Sequence, residues 1–129
     1  MDKDFGILFF RLSMGGMLLL HGVMKIVKGL DFIEKLGGMP PGVPNVGWVQ
    51  MVLGFLAVSF EILGGLGVMT GVRFKTACIL IVAVMIPAFL YHATNVTGFE
   101  SFVRNAWPLE IGFVFFAFMF IGPGRHRLK

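Results

Sequence analysis

The segment RLSMGGMLLLHGVMK, residues 11–25, constrains this chain more than any other, because it sets an arginine, glycines, a histidine and a lysine inside an apolar run. On a helix, Arg11, Gly15, Leu18, Gly22 and Lys25 fall within an arc of about 80°, with His21 beside it. One face therefore carries both the small residues and the charges. A charge left in hydrocarbon costs at least roughly 2.5–3.5 kcal/mol, so that face must turn toward protein and Arg11 needs a partner there.

The setting is a membrane. Of the 129 residues, 57% are hydrophobic and 14% are charged, with a mean hydropathy of +0.86. A soluble domain of this size would not carry so much apolar surface. Four apolar runs stand out, at about 5–24, 47–70, 77–93 and 107–121, within expected helices at about 5–25, 47–70, 73–94 and 107–122. The first two reach the roughly 20 residues that span a bilayer, and the other two reach it with their flanks. The expected architecture is all-α: a single domain over residues 1–129, built as an integral membrane bundle of four transmembrane helices. The opening MDKDFG is acid-balanced and Arg11 interrupts the apolar run that follows, which argues for a retained first helix rather than a cleaved signal peptide.

The connections carry their own signals. Within residues 26–46, the stretch 31–36 sets Phe32, Ile33 and Leu36 beside Asp31, Glu34 and Lys35, the pattern of a short interfacial helix. Gly37 and Gly38 are expected to stop it, before Pro40, Pro41 and Pro44 hold an extended turn. Residues 95–106 read as a plain connection leading to Pro108 in the first turn of the last span.

Charge separates the two ends of the bundle. Lys3, Arg73, Lys75, Arg125, Arg127 and Lys129 lie on the side of the termini; Lys25, Lys28, Lys35 and Arg104 lie on the other. Six against four places the termini in the cytoplasm by the positive-inside rule. The formal charge of +4 belongs to helix ends near lipid headgroups, which makes the bilayer the partner and nucleic acid none. The one cysteine, Cys78, cannot run a dithiol cycle alone.

Two polar groupings are candidates for chemistry. By helical rise, Arg11 lies about 9 Å deep from the terminal side and Glu61 about 14 Å deep, so the two are expected to form a buried ion pair. His21, His92 and Glu110 fall within roughly two turns of the opposite surface. With Lys25 they make the expected ligand site, a cavity between the first and fourth spans, bordered by His21 and Glu110 and capped by residues 26–46. No close HxxxH or HxxE spacing supports a metal. No nucleotide loop, serine triad, haem motif or iron–sulfur ligand set is present, and the catalytic residues stay unassigned.

The order RLSMGGMLLLHGVMK, then FEILGGLGVMTGVR at 60–73, PLEIGFVFF at 108–116 and GPG at 122–124, resembles the DoxX family of small four-helix membrane proteins. The resemblance implies a multi-pass protein of a bacterial or archaeal inner membrane, related to the membrane subunit of thiosulfate:quinone oxidoreductases. Two functions follow as expectations. One is a quinone-associated or redox-partner subunit of a membrane oxidoreductase, with His21 and Glu110 orienting and protonating the ring and Lys25 assisting electrostatically. The other is a non-enzymatic accessory subunit that packs in a homo-oligomer or a larger membrane complex.

Overall fold

Six helices occur among residues 2–128, the part of the chain described by the computed structural model: α1 (Lys3–Val27), α2 (Leu30–Gly38), α3 (Gly47–Thr70), α4 (Phe74–Ala93), α5 (Phe99–Asn105) and α6 (Trp107–Ile121). Lys129, one of the basic residues counted on the terminal side, lies outside the described residues. α1, α3 and α4 are long and apolar enough to cross a bilayer. α6 has 15 residues, about 22 Å of rise, and reaches spanning length only together with α5, against which it is bent by 54°. The protein is an all-α integral membrane bundle with three helices of spanning length, or four crossings where bent α5 and α6 together count as one.

Small residues set the order of packing. α1 lies along α3, α3 along α4, and α4 along α6. A methyl group on Gly15 would come within 2.8 Å of the Gly65 carbonyl, and one on Gly65 equally close to the Gly15 carbonyl, so the α1 and α3 backbones touch there. Farther along, Gly22 faces Glu61 and Ile62. Glycine at such crossings lets helices approach to backbone contact, where dispersion replaces the hydrophobic drive that lipid removes. α1 and α6 meet through side chains: Phe10 stacks on Phe118 with ring centroids 3.7 Å apart and tilts against Phe115 at 5.6 Å. Phe115, Ile81, Cys78, Val68, Met85 and Leu18 form the shared core.

α2 is the expected interfacial helix, and it is longer than its amphipathic stretch. Gly37 and Gly38 are the last two residues of the helix, which ends there, and α2 crosses α3 at the same residues. A side chain on Gly37 would overlap the Gln50 carbonyl, and one on Gly54 would overlap the Ile33 carbonyl. The two terminating glycines therefore also serve as a contact. α5 is a second departure: residues 95–106 are not a plain connection. Ser101 is buried there, its hydroxyl donating to the Asn95 carbonyl at 3.2 Å, and Asn105 Nδ2 donates back to the Ser101 carbonyl at 2.8 Å.

Candidate functional site

Helix register and side-chain direction decide which charges meet. In a helix every Cα–Cβ bond leans toward the N-terminus. α1 and α3 are antiparallel, so Glu61 leans toward the end of the bundle that holds α2, while Arg11 leans the opposite way. Lys25, coming from the far end of α1, leans down to the level where Gly22 meets Glu61. The ion pair that forms is Lys25 Nζ to Glu61 Oε2 at 2.6 Å. Glu61 is 4% exposed, whereas the Lys25 side chain keeps 22% of its surface open. The expected pair of Arg11 with Glu61 is thus replaced: Gly22 is the α1 residue level with Glu61, about 16 Å of helix away from Arg11, which lies level with the end of α3.

Arg11 is satisfied without a carboxylate. It is 1% exposed, and its guanidinium donates from Nε to the Val68 carbonyl at 2.9 Å and from Nη2 to the Met69 carbonyl at 2.8 Å. Nη1 donates to the carbonyls of Pro123, at 2.9 Å, and His126. The last four carbonyls of a helix have no partner within it. Here Gly67 accepts from the Gly71 amide, Val68 and Met69 from Arg11, and Thr70 from the Leu128 amide, so α3 ends fully bonded. Gly71 makes the turn possible: its φ of 76° suits glycine, and a Cβ there would come within 2.6 Å of Arg11 Nη2. The negative end of the α3 dipole supplies the counter-charge that a carboxylate was expected to give.

At the other end the charges border open space. A cavity of about 300 Å³ lies between α2, α3 and α4, with Lys25 and Glu61 on one wall and Tyr91, His92 and Trp107 on another. Phe32, Leu36, Met39 and Pro40 close it from the side of α2 and its following turn. His92 packs edge-on to Trp107, ring centroids 5.3 Å apart, and to Tyr91 at 5.4 Å. Pro87 lies in the same wall and, having no N–H, leaves the Ala83 carbonyl without its helical donor. A smaller cavity of about 110 Å³ lies between α1 and α6, lined by His21, Met14, Met17 and Ile111. Glu61, Met85 and Trp107 line both, so the carboxylate stands between them.

The family model for DoxX matches residues 6–94, more than half of the chain. The chain belongs to the DoxX family. Neither a curated protein nor a solved structure gives a significant match. The DoxX match takes in Arg11, His21, Lys25, Glu61 and His92, and it ends before Trp107 and Glu110.

Within this DoxX chain the expected ligand residues separate. Lys25 and His92 share the larger cavity, and His21 borders the smaller one. Glu110 lines neither and is exposed on the outward face of α6 with Val114, Ala117 and Ile121. Neither of these two cavities is bordered by both His21 and Glu110, the pair expected to border the site. The cap is where it was expected, but the cavity under it is walled by α3 and α4 rather than by the first and fourth spans. Among the described residues, no three His, Cys, Asp or Glu side chains gather. Tyr91 and Trp107 were missed as site residues, and Glu61 was expected with Arg11 as its partner rather than Lys25. For the partner of Glu61 the signal lay in the small residues, since Gly15 against Gly65 sets Gly22 level with Glu61 and brings Lys25 within reach. For the two aromatics nothing local distinguished them from the other rings of the chain.

Proposed function

We propose that this DoxX protein is a quinone-associated subunit of a membrane oxidoreductase system, related to the membrane subunit of thiosulfate:quinone oxidoreductases. The observation that supports the reading is one ion pair, Lys25 with Glu61, set into an otherwise apolar and aromatic cavity. Ligand pockets combine mostly apolar walls with a few placed polar groups, in volumes of roughly 300–1,000 Å³. About 300 Å³ suits a ring headgroup and leaves a long apolar tail outside, in the bilayer. Phe32, Tyr91 and Trp107 offer flat surfaces to such a ring, and the Lys25 ammonium offers a donor to a carbonyl. The chemistry would come from the bound ring and an electron-transferring partner protein, while the chain binds the ring and excludes water. In this reading the protein sits in a bacterial or archaeal inner membrane with both termini in the cytoplasm.

The test is extraction. Protein purified in mild detergent should release about one quinone per chain into organic solvent, and Lys25→Met should lose it while circular dichroism shows the helices retained. A quinone-free preparation with its ion pair intact counts against the reading. A second reading, an accessory subunit of a larger complex or homo-oligomer, is favoured by the exposed carboxylate of Glu110, which has no ion-pair partner among the described residues. A stable assembly that contains no quinone and dissociates on Glu110→Gln would select it.

A further inference from the structure

Glu61 has a valence that the protein does not use. Its Oε2 accepts from Lys25, yet Oε1 accepts no hydrogen bond from any described residue, although the side chain is 6% exposed. No polar side-chain atom sealed inside the described structure lacks a partner, so Oε1 is not sealed; it opens onto the cavity space that Glu61 lines. Lys25 Nζ carries three N–H donors and uses one of them within the protein. The pair therefore presents spare donors and a spare anionic acceptor side by side, with Tyr91, His92 and Trp107 on a separate wall of the cavity.

The two redox forms of a quinone-type ring differ in this respect. An oxidised ring carries carbonyl oxygens, which only accept. It can take a hydrogen bond from Lys25 but leaves Oε1 unpaired and displaces the water that would otherwise reach it. A reduced ring carries hydroxyl groups, each of which donates and accepts. One such group can donate to Oε1 while accepting from Lys25. A site built around a hydrogen-bonded hydroxyl rejects the analogue that lacks it, because its own buried polar group is then stranded.

We propose that the cavity selects the hydroxyl-bearing, reduced form of its ring ligand over the oxidised form, with Glu61 Oε1 as the group that discriminates. The proposal rests on the reading that the cavity takes a quinone-type ring, and it adds which redox state is held. Glu61 is a specificity determinant here rather than a catalytic residue.

The experiment compares three probes on the purified full chain in detergent, by isothermal titration calorimetry under anaerobic conditions: a short-tailed hydroquinone, its quinone and its dimethyl ether. The hydroquinone should bind about tenfold more tightly than the quinone, as one added hydrogen bond to a charged acceptor allows. The dimethyl ether, which cannot donate, should bind no better than the quinone. In Glu61→Gln the amide both donates and accepts, so the preference should shrink toward unity. Equal affinities on the native chain, or tighter quinone, overturn the proposal while leaving a ring site in place. A preference that survives in Glu61→Gln overturns the assignment to Glu61. If none of the three probes binds, the ring-binding reading itself falls, and this proposal with it.

Discussion

Two cations on the same face of α1, Arg11 buried and Lys25 partly open, are treated in opposite ways. Arg11, near the terminal side, is held by four backbone carbonyls from α3 and the chain's tail. Lys25, near the α2 side, makes one bond, to Glu61, and the pair looks out on a cavity. Both are charges in an apolar helix and both must be compensated. The difference lies in what remains after compensation: nearly every donor of Arg11 is spent inside the protein, whereas the Lys25–Glu61 pair retains donors and an acceptor. A saturated charge ties segments together. An unsaturated one in a cavity is available to a ligand.

The comparison breaks most visibly at Arg11. Arg11→Leu would strand the Val68 and Met69 carbonyls at the end of α3 and release Pro123 and His126, so it should destabilise the bundle by about 3–5 kcal/mol. Unfolding in mixed micelles, followed by circular dichroism, measures this. A loss under 1 kcal/mol would mean that the carbonyls find other donors and that the latch is dispensable.

Next in size is the contact that holds the cap. Gly54→Ala sets a methyl group against the Ile33 carbonyl, and α2 must shift to relieve it. The expected cost is about 1–3 kcal/mol, the range for inserting a group into a packed contact. Protease should cut the Pro-rich turn that follows α2 faster than in the native chain, and retained quinone should fall while α1, α3 and α4 stay helical. Unchanged cleavage would show that α2 does not close the cavity.

How far the sequence foretold these two ends depends on what kind of regularity each one used. The buried stripe of α1 was legible because charge and glycine repeat at helical spacing: Arg11, Gly15, Leu18 and Gly22 are all buried. The apolar spans were legible from length. The pairing of Glu61 was not, since counting rise from the end of each apolar run assumes that the two ends are level, whereas Arg11 lies beside the end of α3 and Gly22 beside Glu61. The contact made by Gly37 and Gly38 was hidden because the two have the same letters whether they only end a helix or also press it against another. Glu110 was misplaced because α6 is apolar around nearly its whole circumference, leaving no periodicity to say which face turns inward. The carbonyls that hold Arg11 belong to the backbone, which no side-chain pattern announces.

At the Lys25 end, single and double changes should part company. Lys25→Met leaves the Glu61 carboxylate buried without its cation and should cost about 2 kcal/mol, less than the roughly 3–5 kcal/mol of a sealed pair because the cavity keeps the site partly open. Lys25→Met with Glu61→Met removes both charges, and stability should return to within about 1 kcal/mol of the native chain. Bound ring ligand should stay lost in both. If the double variant remains as unstable as the single, the pair holds helices together as Arg11 does, and the contrast between the two ends disappears.

The smallest effect is expected at Glu110. Its backbone N–H is held by the Ala106 carbonyl at 3.1 Å, a bond that no side-chain replacement disturbs. Its carboxylate is on the outward face of α6, away from both cavities that Glu61 lines. Glu110→Gln should therefore change the stability of the isolated chain by no more than about 0.5 kcal/mol, as for surface positions generally, and should leave the ring ligand in place. The two readouts separate two meanings of a carboxylate in an apolar helix. Loss of ligand on Glu110→Gln would place a functional group outside the Lys25–Glu61 cavity and move the site toward α6. Loss of stability by more than about 1 kcal/mol would mean that Glu110 is compensated within the bundle, as Arg11 and Lys25 are, and the outward face of α6 would then be part of the packed protein.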